Sequence, residues 1–450
     1  MYSANIILKT VNAMKRKFVE KLVLWKENSG RKPLMVIGVR QCGKTYIINE
    51  FGKENYEEVA GFNFERQEKL SEIFESDFDT KRILFELSVL WGKTIHPGKT
   101  LIFFDEIQAC PKAITSLKYF CEDAPGYHIV CAGSLLGIKI HSDASFPVGK
   151  VEMLNMYPMS FSEFVRAGGE EMLADLLDDY SGGKKIPDAA SDKLETLLRE
   201  YYIVGGMPEA VKTWVETRDI EKVEAIQQNI LDGYGFDFAK HAPIKDFPKL
   251  TAIWESIPIQ LAKENNKFVF GNVKKGWRAK VLEDALEWLS SAGLVYKVSL
   301  VEKPFIPLKS YEKTTSFKLY MCDIGLLRKM ADVPASVILA GSPYYTEFKG
   351  AMTENYVLGE LVKGGIGTAY YWNSGNTAEV DFIIQCGKYI VPIEVKSEKN
   401  VKSRSLAEYR RRYEPEYAVK TSMKPETSGK EVLNVPLWVV GKIDEIIKSK

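Results

Sequence analysis

The sequence feature that most restricts the fold is a glycine-punctuated loop that follows the apolar run LMVI and precedes the helical stretch YIINEFG. Its residues are Gly38, Val39, Arg40, Gln41, Cys42, Gly43, Lys44 and Thr45, which fit GxxxxGK[ST] at every required position. Glycines let the backbone amides face phosphate oxygens, and the following helix adds the positive end of its dipole. We predict that the loop binds ATP, with Lys44 on the β- and γ-phosphates and Thr45 on Mg²⁺.

A second motif supplies acids to the same site. The segment LIFFDE, at residues 101–106, has four apolar residues followed by two carboxylates, as in a buried strand that ends at a ligand site. We expect Asp105 to hold Mg²⁺ through water and Glu106 to polarise the attacking water, so that the site hydrolyses ATP. Ser134 ends the strand pattern YHIVCAGS and is a candidate for contact with the γ-phosphate or the lytic water; an ordinary turn serine is the alternative. The catalytic candidates are therefore Lys44, Glu106 and Ser134.

Strand patterns alternate with helical patterns through the first part of the chain. The strands LMVIG, VAGFNFE, KTLIFFDE and YHIVCAGS, separated by helical stretches, predict a parallel α/β sheet with crossover helices. Before them, Phe18, Leu22 and Trp25 stand at the spacing of an amphipathic helix. Further along, helical patterns lead into two strands, VYKVSL and SFKLYMCD, which is the outline of a winged-helix module.

Composition limits the number of domains, the possible partners and the class of protein. With 450 residues, 45% apolar and 27% charged, the chain is globular and long enough for about two to four domains. A net charge of +1 gives no strong overall attraction to nucleic acid or membrane, so any basic surface must be local. The six cysteines contain no CxxC pair and the four histidines form no ligand cluster, which favours free thiols. The apolar runs are too short to span a membrane and the N-terminus lacks a signal pattern, so we expect a soluble, cytoplasmic protein.

A family resemblance rests on several stretches between about residues 30 and 415. They are RKPLMVIGVRQCGKTYIINEFG, LIFFDEIQACPKAITSLKYF, AGSLLG, PVGKVEMLNMYPMSFSEF, GGMPEAV, KLYMCDIGLL, AEVDFIIQ and VPIEVKS. In these the chain resembles the prokaryotic AAA-type ATPases that pair an N-terminal P-loop domain with a C-terminal domain of uncharacterised function. The resemblance implies the P-loop fold and ATPase activity. Lys150 stands where similar proteins often carry Arg, and it keeps the charge without the bidentate fork. Lys150 and Arg40 are the two cationic candidates for an arginine finger that senses the γ-phosphate, and the sequence assigns the role to neither.

Carboxylates and a lysine recur in the C-terminal part. Glu394 and Lys396 lie two apart on one strand pattern, Asp381 falls on the neighbouring strand, and Glu354 sits on the preceding helix. A helix Glu, a strand Asp and a Glu-x-Lys resemble the PD-(D/E)xK nuclease core, in which carboxylates hold Mg²⁺ and the lysine positions water. An ion pair across a hairpin would give the same letters, and such domains also bind nucleic acid without cutting it.

These patterns together predict an α/β protein with five regions. They are a P-loop NTPase parallel sheet at 1–165, a helical lid or linker at 166–245, a winged-helix-like region at 246–335, an α/β nuclease-like domain at 336–425 and a C-terminal tail at 426–450.

Two basic runs accompany the two C-terminal modules. One contains Lys274, Lys275, Trp277, Arg278 and Lys280, and the other contains Lys399, Lys402, Arg404, Arg410, Arg411 and Arg412. Contact with phosphates is the functional interpretation, and a solvated face is the alternative. We expect an ATP-driven enzyme that acts on DNA, forms homo-oligomers by analogy with AAA-type proteins and has no membrane partner. The alternative is a nucleotide-dependent signalling or defence switch with a protein partner.

Overall fold

The computed structural model describes residues 14–133, 146–183, 185–243, 245–263, 266–341, 346–375, 378–397, 403–424, 427–428 and 432–450. The chain divides into two compact units. The first consists of Lys15–Pro158 with Ser291–Gly293, and the second contains the remaining residues.

The first unit is built on a fully parallel five-stranded sheet; the alternating patterns predict the parallel α/β architecture and four of the strands, and the strand at Glu152–Asn155 was not predicted. Its strands are β1 (Leu34–Ile37), β2 (Glu58–Asn63), β3 (Thr100–Asp105), β4 (His128–Gly133) and β5 (Glu152–Asn155). They lie in the order β2-β3-β4-β1-β5, and every pair is parallel. Because carboxyl ends of parallel strands share one edge, the loops after β1 and β3 open toward the same side.

Helices and a hydrophobic core support this sheet. The helices are α1 (Phe18–Glu27), α2 (Lys44–Asn55), α3 (Glu68–Glu72), α4 (Thr80–Trp91) and α5 (Pro111–Asp123), with a 3₁₀ turn at Ile107–Ala109. The predicted amphipathic helix is confirmed in α1, where Phe18, Leu22 and Trp25 are the buried residues. Phe104 of β3 packs against three other aromatic rings, so the strand that ends in the two acids is fixed in the core.

The second unit begins with helices, in agreement with the helical patterns of its sequence. They are α6 (Phe161–Ala167), α7 (Glu171–Asp178), α8 (Asp188–Val204), α9 (Pro208–Thr217), α10 (Ile220–His241), α11 (Phe247–Leu261), α12 (Ala279–Ser291), α13 (Ile324–Met330), α14 (Ala335–Leu339), α15 (Thr346–Lys363), α16 (Arg404–Tyr413) and α17 (Ile443–Lys448). Short 3₁₀ turns occur at Phe270–Asn272, Leu308–Tyr311 and Leu437–Lys442.

A mixed eight-stranded sheet runs through the second unit. Its strands are β6 (Val295–Val301), β7 (Glu312–Met321), β8 (Tyr370–Asn373), β9 (Glu379–Cys386), β10 (Tyr389–Val395), β11 (Val419–Ser422), β12 (Thr427–Ser428) and β13 (Leu433–Pro436). They lie in the order β12-β13-β11-β10-β9-β8-β6-β7. The hairpin β6–β7 joins the other strands through a parallel pairing of β6 with β8. A boundary at 335/336 therefore divides strands of one sheet.

The stretch 426–450, which the sequence suggested as a tail, contributes to the same sheet. Strands β12 and β13 are followed by a turn whose residues Leu437, Trp438, Val439 and Val440 are buried. The apolar run PLWVV explains this burial, because such a segment gains free energy when it leaves water.

Candidate functional site

The phosphate loop is shaped by one close approach and one left-handed turn. A Cβ atom on Gly38 would lie 2.2 Å from the carbonyl oxygen of Met156, which follows β5, so only glycine fits there. Gly43 has φ of 94° and is the residue before helix α2, a conformation that L side chains rarely adopt. The chain thereby turns directly from β1 into the helix N-terminus, the arrangement that suits a bound anion.

The two cations of the loop have partners within the first unit. The Lys44 ammonium donates to the carbonyl oxygens of Gly38 and Val39, both at 2.9 Å. It therefore folds back over the loop that is predicted to hold the phosphates. Arg40 lies 4.0 Å from the carboxylate of Glu65. Lys150, the other candidate for an arginine-finger role, makes a 2.8 Å ion pair with Glu122.

Thr45 and Asp105 meet across the 60 residues that separate them in sequence. The Thr45 hydroxyl donates to the Asp105 carboxylate, with oxygen–oxygen distances of 3.1 and 3.2 Å. Asn63, at the end of β2, donates its side-chain amide to the same carboxylate at 3.1 Å. Burial, and then the neighbouring Glu106, raise the pKa of Asp105, while the hydrogen bonds from Thr45 and Asn63 oppose the shift. A hydroxyl beside a carboxylate is an oxygen donor set that suits Mg²⁺.

Glu106 has an unusual backbone conformation, and its side chain is oriented by Gln108, a residue that the sequence did not single out. Its φ is 52°, in the left-handed region that a non-glycine residue rarely adopts. The side-chain amide of Gln108 donates to the Glu106 carboxylate at 2.5 Å. Gln108 is 4% exposed, and its own carbonyl oxygen Oε1 has no hydrogen-bond partner among the described residues. The only sequence signal for this role is a polar residue within the otherwise apolar turn after the two acids.

Arg16 is a second residue that sequence reasoning missed. Its buried guanidinium donates to the carbonyl oxygen of Cys42 in the loop at 3.2 Å and to that of Tyr157 at 2.7 Å. It therefore ties the phosphate loop to the segment after β5. No local pattern marks Arg16, since it lies 26 and 141 residues from its two partners. Ser134, the remaining catalytic candidate, lies outside the described residues.

Three of the four C-terminal candidates lie on the predicted helix and strands of the second unit, whereas Lys396, predicted on the strand with Glu394, lies just after its end. Glu354 lies on α15, Asp381 on β9 and Glu394 on β10, and Lys396 directly follows β10. The Lys396 ammonium pairs with Glu394 at 2.7 Å, and Asp381 accepts the backbone N–H of Val395 at 2.7 Å. Burial, followed by the carboxylates of Glu394 and Glu354, raises the pKa of Asp381 well above its usual range. The carboxylates are thus near enough to repel one another.

A further lysine lies within this cluster. Lys318 of β7 is 1% exposed; its ammonium lies 2.8 Å from a carboxylate oxygen of Glu379 and 3.5 Å from one of Glu354. Burial alone would lower the pKa of Lys318, but the surrounding carboxylates outweigh burial and raise it. Among the residues that the structure describes, no group of three or more His, Cys, Asp or Glu side chains is arranged to hold a metal ion.

Three protein-family models match successive parts of the chain. Residues 30–165 match an AAA domain. Residues 195–337 match a domain of unknown function (DUF8612), and residues 349–438 match another domain of unknown function (DUF4143). The AAA match includes the phosphate loop and both acids of β3, and the last match includes all four C-terminal candidates.

The chain also resembles individual proteins. It is 25% identical over 397 residues to an uncharacterized protein of Haemophilus influenzae, covering 85% of this chain and 86% of that protein. The Walker-type ATPase PABY2304 of Pyrococcus abyssi is 14% identical with a TM-score of 0.44, covering 71% of this chain and 96% of that one. The Aeropyrum pernix ORC1 protein in complex with DNA is 14% identical with a TM-score of 0.29, covering 72% and 92% of the two chains.

Two general expectations can be compared with the described residues. All six cysteines are free thiols, as their spacing predicted. Within the described ranges, no helix is both long and apolar enough to cross a membrane.

The phosphate loop, the two acids at the carboxyl end of β3 and the family match agree, and residues 30–165 form an AAA-type P-loop ATPase domain.

Proposed function

We propose that this chain binds and hydrolyses MgATP in the first unit and acts on DNA through the second. The observation that carries the hydrolytic half is the meeting of Thr45 with Asp105 at the mouth of the phosphate loop. Mg²⁺, when bound, neutralises charge on the β- and γ-phosphates. Thr45 and Asp105 are the residues that would hold it. The Lys44 ammonium would exchange its two loop carbonyls for phosphate oxygens.

Glu106 is the proposed general base for the attacking water. A carboxylate that takes a proton from water must point steadily at one position, and general bases contribute about 10²- to 10⁴-fold to a rate. The hydrogen bond from Gln108 supplies that orientation. Ser134 is retained as the proposed polar contact to the γ-phosphate or the lytic water.

The DNA half of the proposal rests on the first of the two basic runs. Lys274, Lys275, Arg278 and Lys280 are all exposed, and none of the ion pairs among the described residues involves them. Lys274 lies 4.8 Å from the ring centre of Trp277. Unpaired cations beside an aromatic ring suit phosphate contact, because no internal carboxylate must be displaced.

Part of the charge of the second basic run is paired within the chain. On α16, Arg411 and Arg412 both pair with Glu408, at 2.9 and 2.6 Å. Lys399 and Lys402 lie outside the described residues. We therefore assign the DNA contact to Lys274–Lys280, which leads into the first turn of α12 and lies before the β6–β7 hairpin of the proposed winged helix.

For the C-terminal region we propose a nuclease-like fold. Support comes from the element order α15-β8-β9-β10-α16-β11, with β9 antiparallel to both neighbours and β11 parallel to β10. The candidate acids fall on the helix and on the two central strands of this order.

The alternative function, a switch with a protein partner, is favoured by one observation. Helix α4 exposes Phe85 and Val89, which are 70% and 66% exposed and lie four residues apart on one helical face. Apolar side chains grouped in this way suit a protein contact, including a contact between copies of this chain. Sedimentation of the full chain with and without ATP tests the proposed homo-oligomer.

The discriminating experiment measures the ATPase rate of the full chain with single-stranded, double-stranded and branched DNA. We expect at least one of these to stimulate the rate. The variant Lys274→Glu/Lys275→Glu/Arg278→Glu should lose the stimulation, and the matched control Arg411→Glu/Arg412→Glu should keep it. A rate that no DNA changes would overturn action on DNA in favour of the protein-partner switch.

A further inference from the structure

The carboxylate cluster of the second unit contains a cation that belongs to the chain itself. Lys318 and Tyr320 lie two apart on β7, so both project from the same face of the sheet. The Lys318 ammonium lies 2.8 Å from a carboxylate oxygen of Glu379 on β9 and 3.5 Å from one of Glu354 on α15. The ammonium also lies 5.3 Å from the ring centre of Tyr371. A buried ammonium with these neighbours is fully engaged inside the protein.

Most of the carboxylate oxygens that a metal would need already accept hydrogen bonds within the chain. Glu354 accepts the Tyr320 hydroxyl at 2.6 Å, and its two oxygens accept the side-chain amide of Asn266 at 3.1 and 3.2 Å. Asp381 accepts a backbone N–H, and one oxygen of Glu394 accepts from Lys396. Of the carboxylate oxygens of these three acids, only Oε2 of Glu394 is buried without a partner in the described part of the chain.

These contacts disagree with the requirements of Mg²⁺. That ion demands a nearly octahedral set of oxygens at about 2.0–2.1 Å. To ligate it, Glu354 would have to give up hydrogen bonds from Tyr320 or Asn266 and its contact with Lys318, and the buried ammonium would keep Glu379 alone. Removing part of the compensation of a buried charge is unfavourable.

We infer that Lys318 is the resident cation of this cluster: its ammonium takes the place of a divalent ion, and the C-terminal sheet holds its carboxylates together without metal. It follows that this region does not cleave phosphodiesters by a metal-dependent mechanism. The inference rests on the contacts of Lys318 and not on the proposed action on DNA, so either can fail alone.

The test uses Mn²⁺ as the probe and measures its binding to the full, nucleotide-free chain by electron paramagnetic resonance. The wild type and Asp381→Asn should give the same binding curve. Lys318→Met, which keeps length without charge, should gain one site at least tenfold tighter than any in the wild type. The gained site should disappear in Lys318→Met/Asp381→Asn.

Two outcomes would overturn the inference. One is a wild-type Mn²⁺ site that Asp381→Asn removes. The other is a Lys318→Met protein that still melts cooperatively but gains no site. If Lys318→Met does not fold, the comparison of wild type with Asp381→Asn decides, because a resident lysine leaves nothing for that substitution to remove. ATP turnover of the same samples reports on the first unit alone, so its loss would count against the proposed ATPase and not against this inference.

Discussion

Replacing Gln108 with Leu should disturb the orientation of the proposed base, Glu106, without changing the stability of the domain. The substitution removes the amide that donates to Glu106 and also removes Oε1, which is buried without a partner in the described residues. A hydrogen bond to a charged group contributes about 1.5–3 kcal/mol, and a buried unsatisfied group costs about 1–3 kcal/mol. The two contributions to the free energy of unfolding have opposite sign and similar size. The melting temperature should therefore change little.

The rate should respond differently, because only the lost donor bears on catalysis. If the free energy of this hydrogen bond serves to orient Glu106, its loss lowers kcat by roughly 10- to 150-fold. Phosphate release at saturating ATP measures kcat, and a fluorescent ATP analogue checks that nucleotide affinity is retained. Glu106→Gln is the reference variant, with an expected loss of about 10²- to 10⁴-fold.

The double variant decides whether Gln108 acts through Glu106. A positioning residue has nothing to position once the base is gone, so Gln108→Leu should have no further effect in the Glu106→Gln background. A kcat within twofold of wild type for Gln108→Leu would refute the reasoning. Losses that multiply in the double variant would refute it as well, since they would show independent action.

Two further predictions concern the same unit. Arg16→Met removes both hydrogen bonds between the phosphate loop and the segment after β5 and should weaken ATP binding about tenfold, as titration with a fluorescent analogue would show; an unchanged Kd would contradict it. Burial lowers the pKa of His128 from 6.5 to about 4, so between these pH values the unfolded chain binds a proton that the folded one does not. Stability should fall as pH drops through this window, by about 2 kcal/mol, and urea unfolding at pH 7.5 and pH 5 should show that loss reduced in His128→Gln; equal losses in both proteins would contradict the prediction.

The meeting of the phosphate loop with Asp105 could be predicted because its signals are local. The loop motif lies between a strand and a helix, and Asp105 ends another strand of the same parallel sheet, so their meeting follows from topology. Arg16 could not be found, because its partners are brought to it only by the folded segment after β5. Gln108 was missed for a different reason: a single glutamine two residues after the acid has many possible roles, and only burial selects one.

Lys318 is a residue whose burial the strand pattern does not predict. In SFKLYM it alternates with Phe317 and Leu319, so the pattern predicts a lysine on the solvent face. In the structure both faces at this point are buried, since Lys318 and Tyr320 are as inaccessible as their apolar neighbours. Alternation identifies which residues share a face, but not whether a helix covers that face. The carboxylate of Glu354 on α15 reaches Lys318 from such a helix, and the sequence offers no register between the two elements.

Both basic runs are rich in cations, and the position of acidic residues relative to those cations already distinguishes them in the sequence. Glu408 stands three and four residues before Arg411 and Arg412, the separations at which side chains pair on a helix, and both pairs form. Lys274–Lys280 contains no acid, and Glu283 is the first one after it. Its four cations are therefore available to phosphates, and each contact contributes about −0.9 to the slope of log K against log salt concentration on duplex DNA. If all four engage, the slope should approach about −3.6. A slope near zero with intact binding would mean that these cations do not face the nucleic acid.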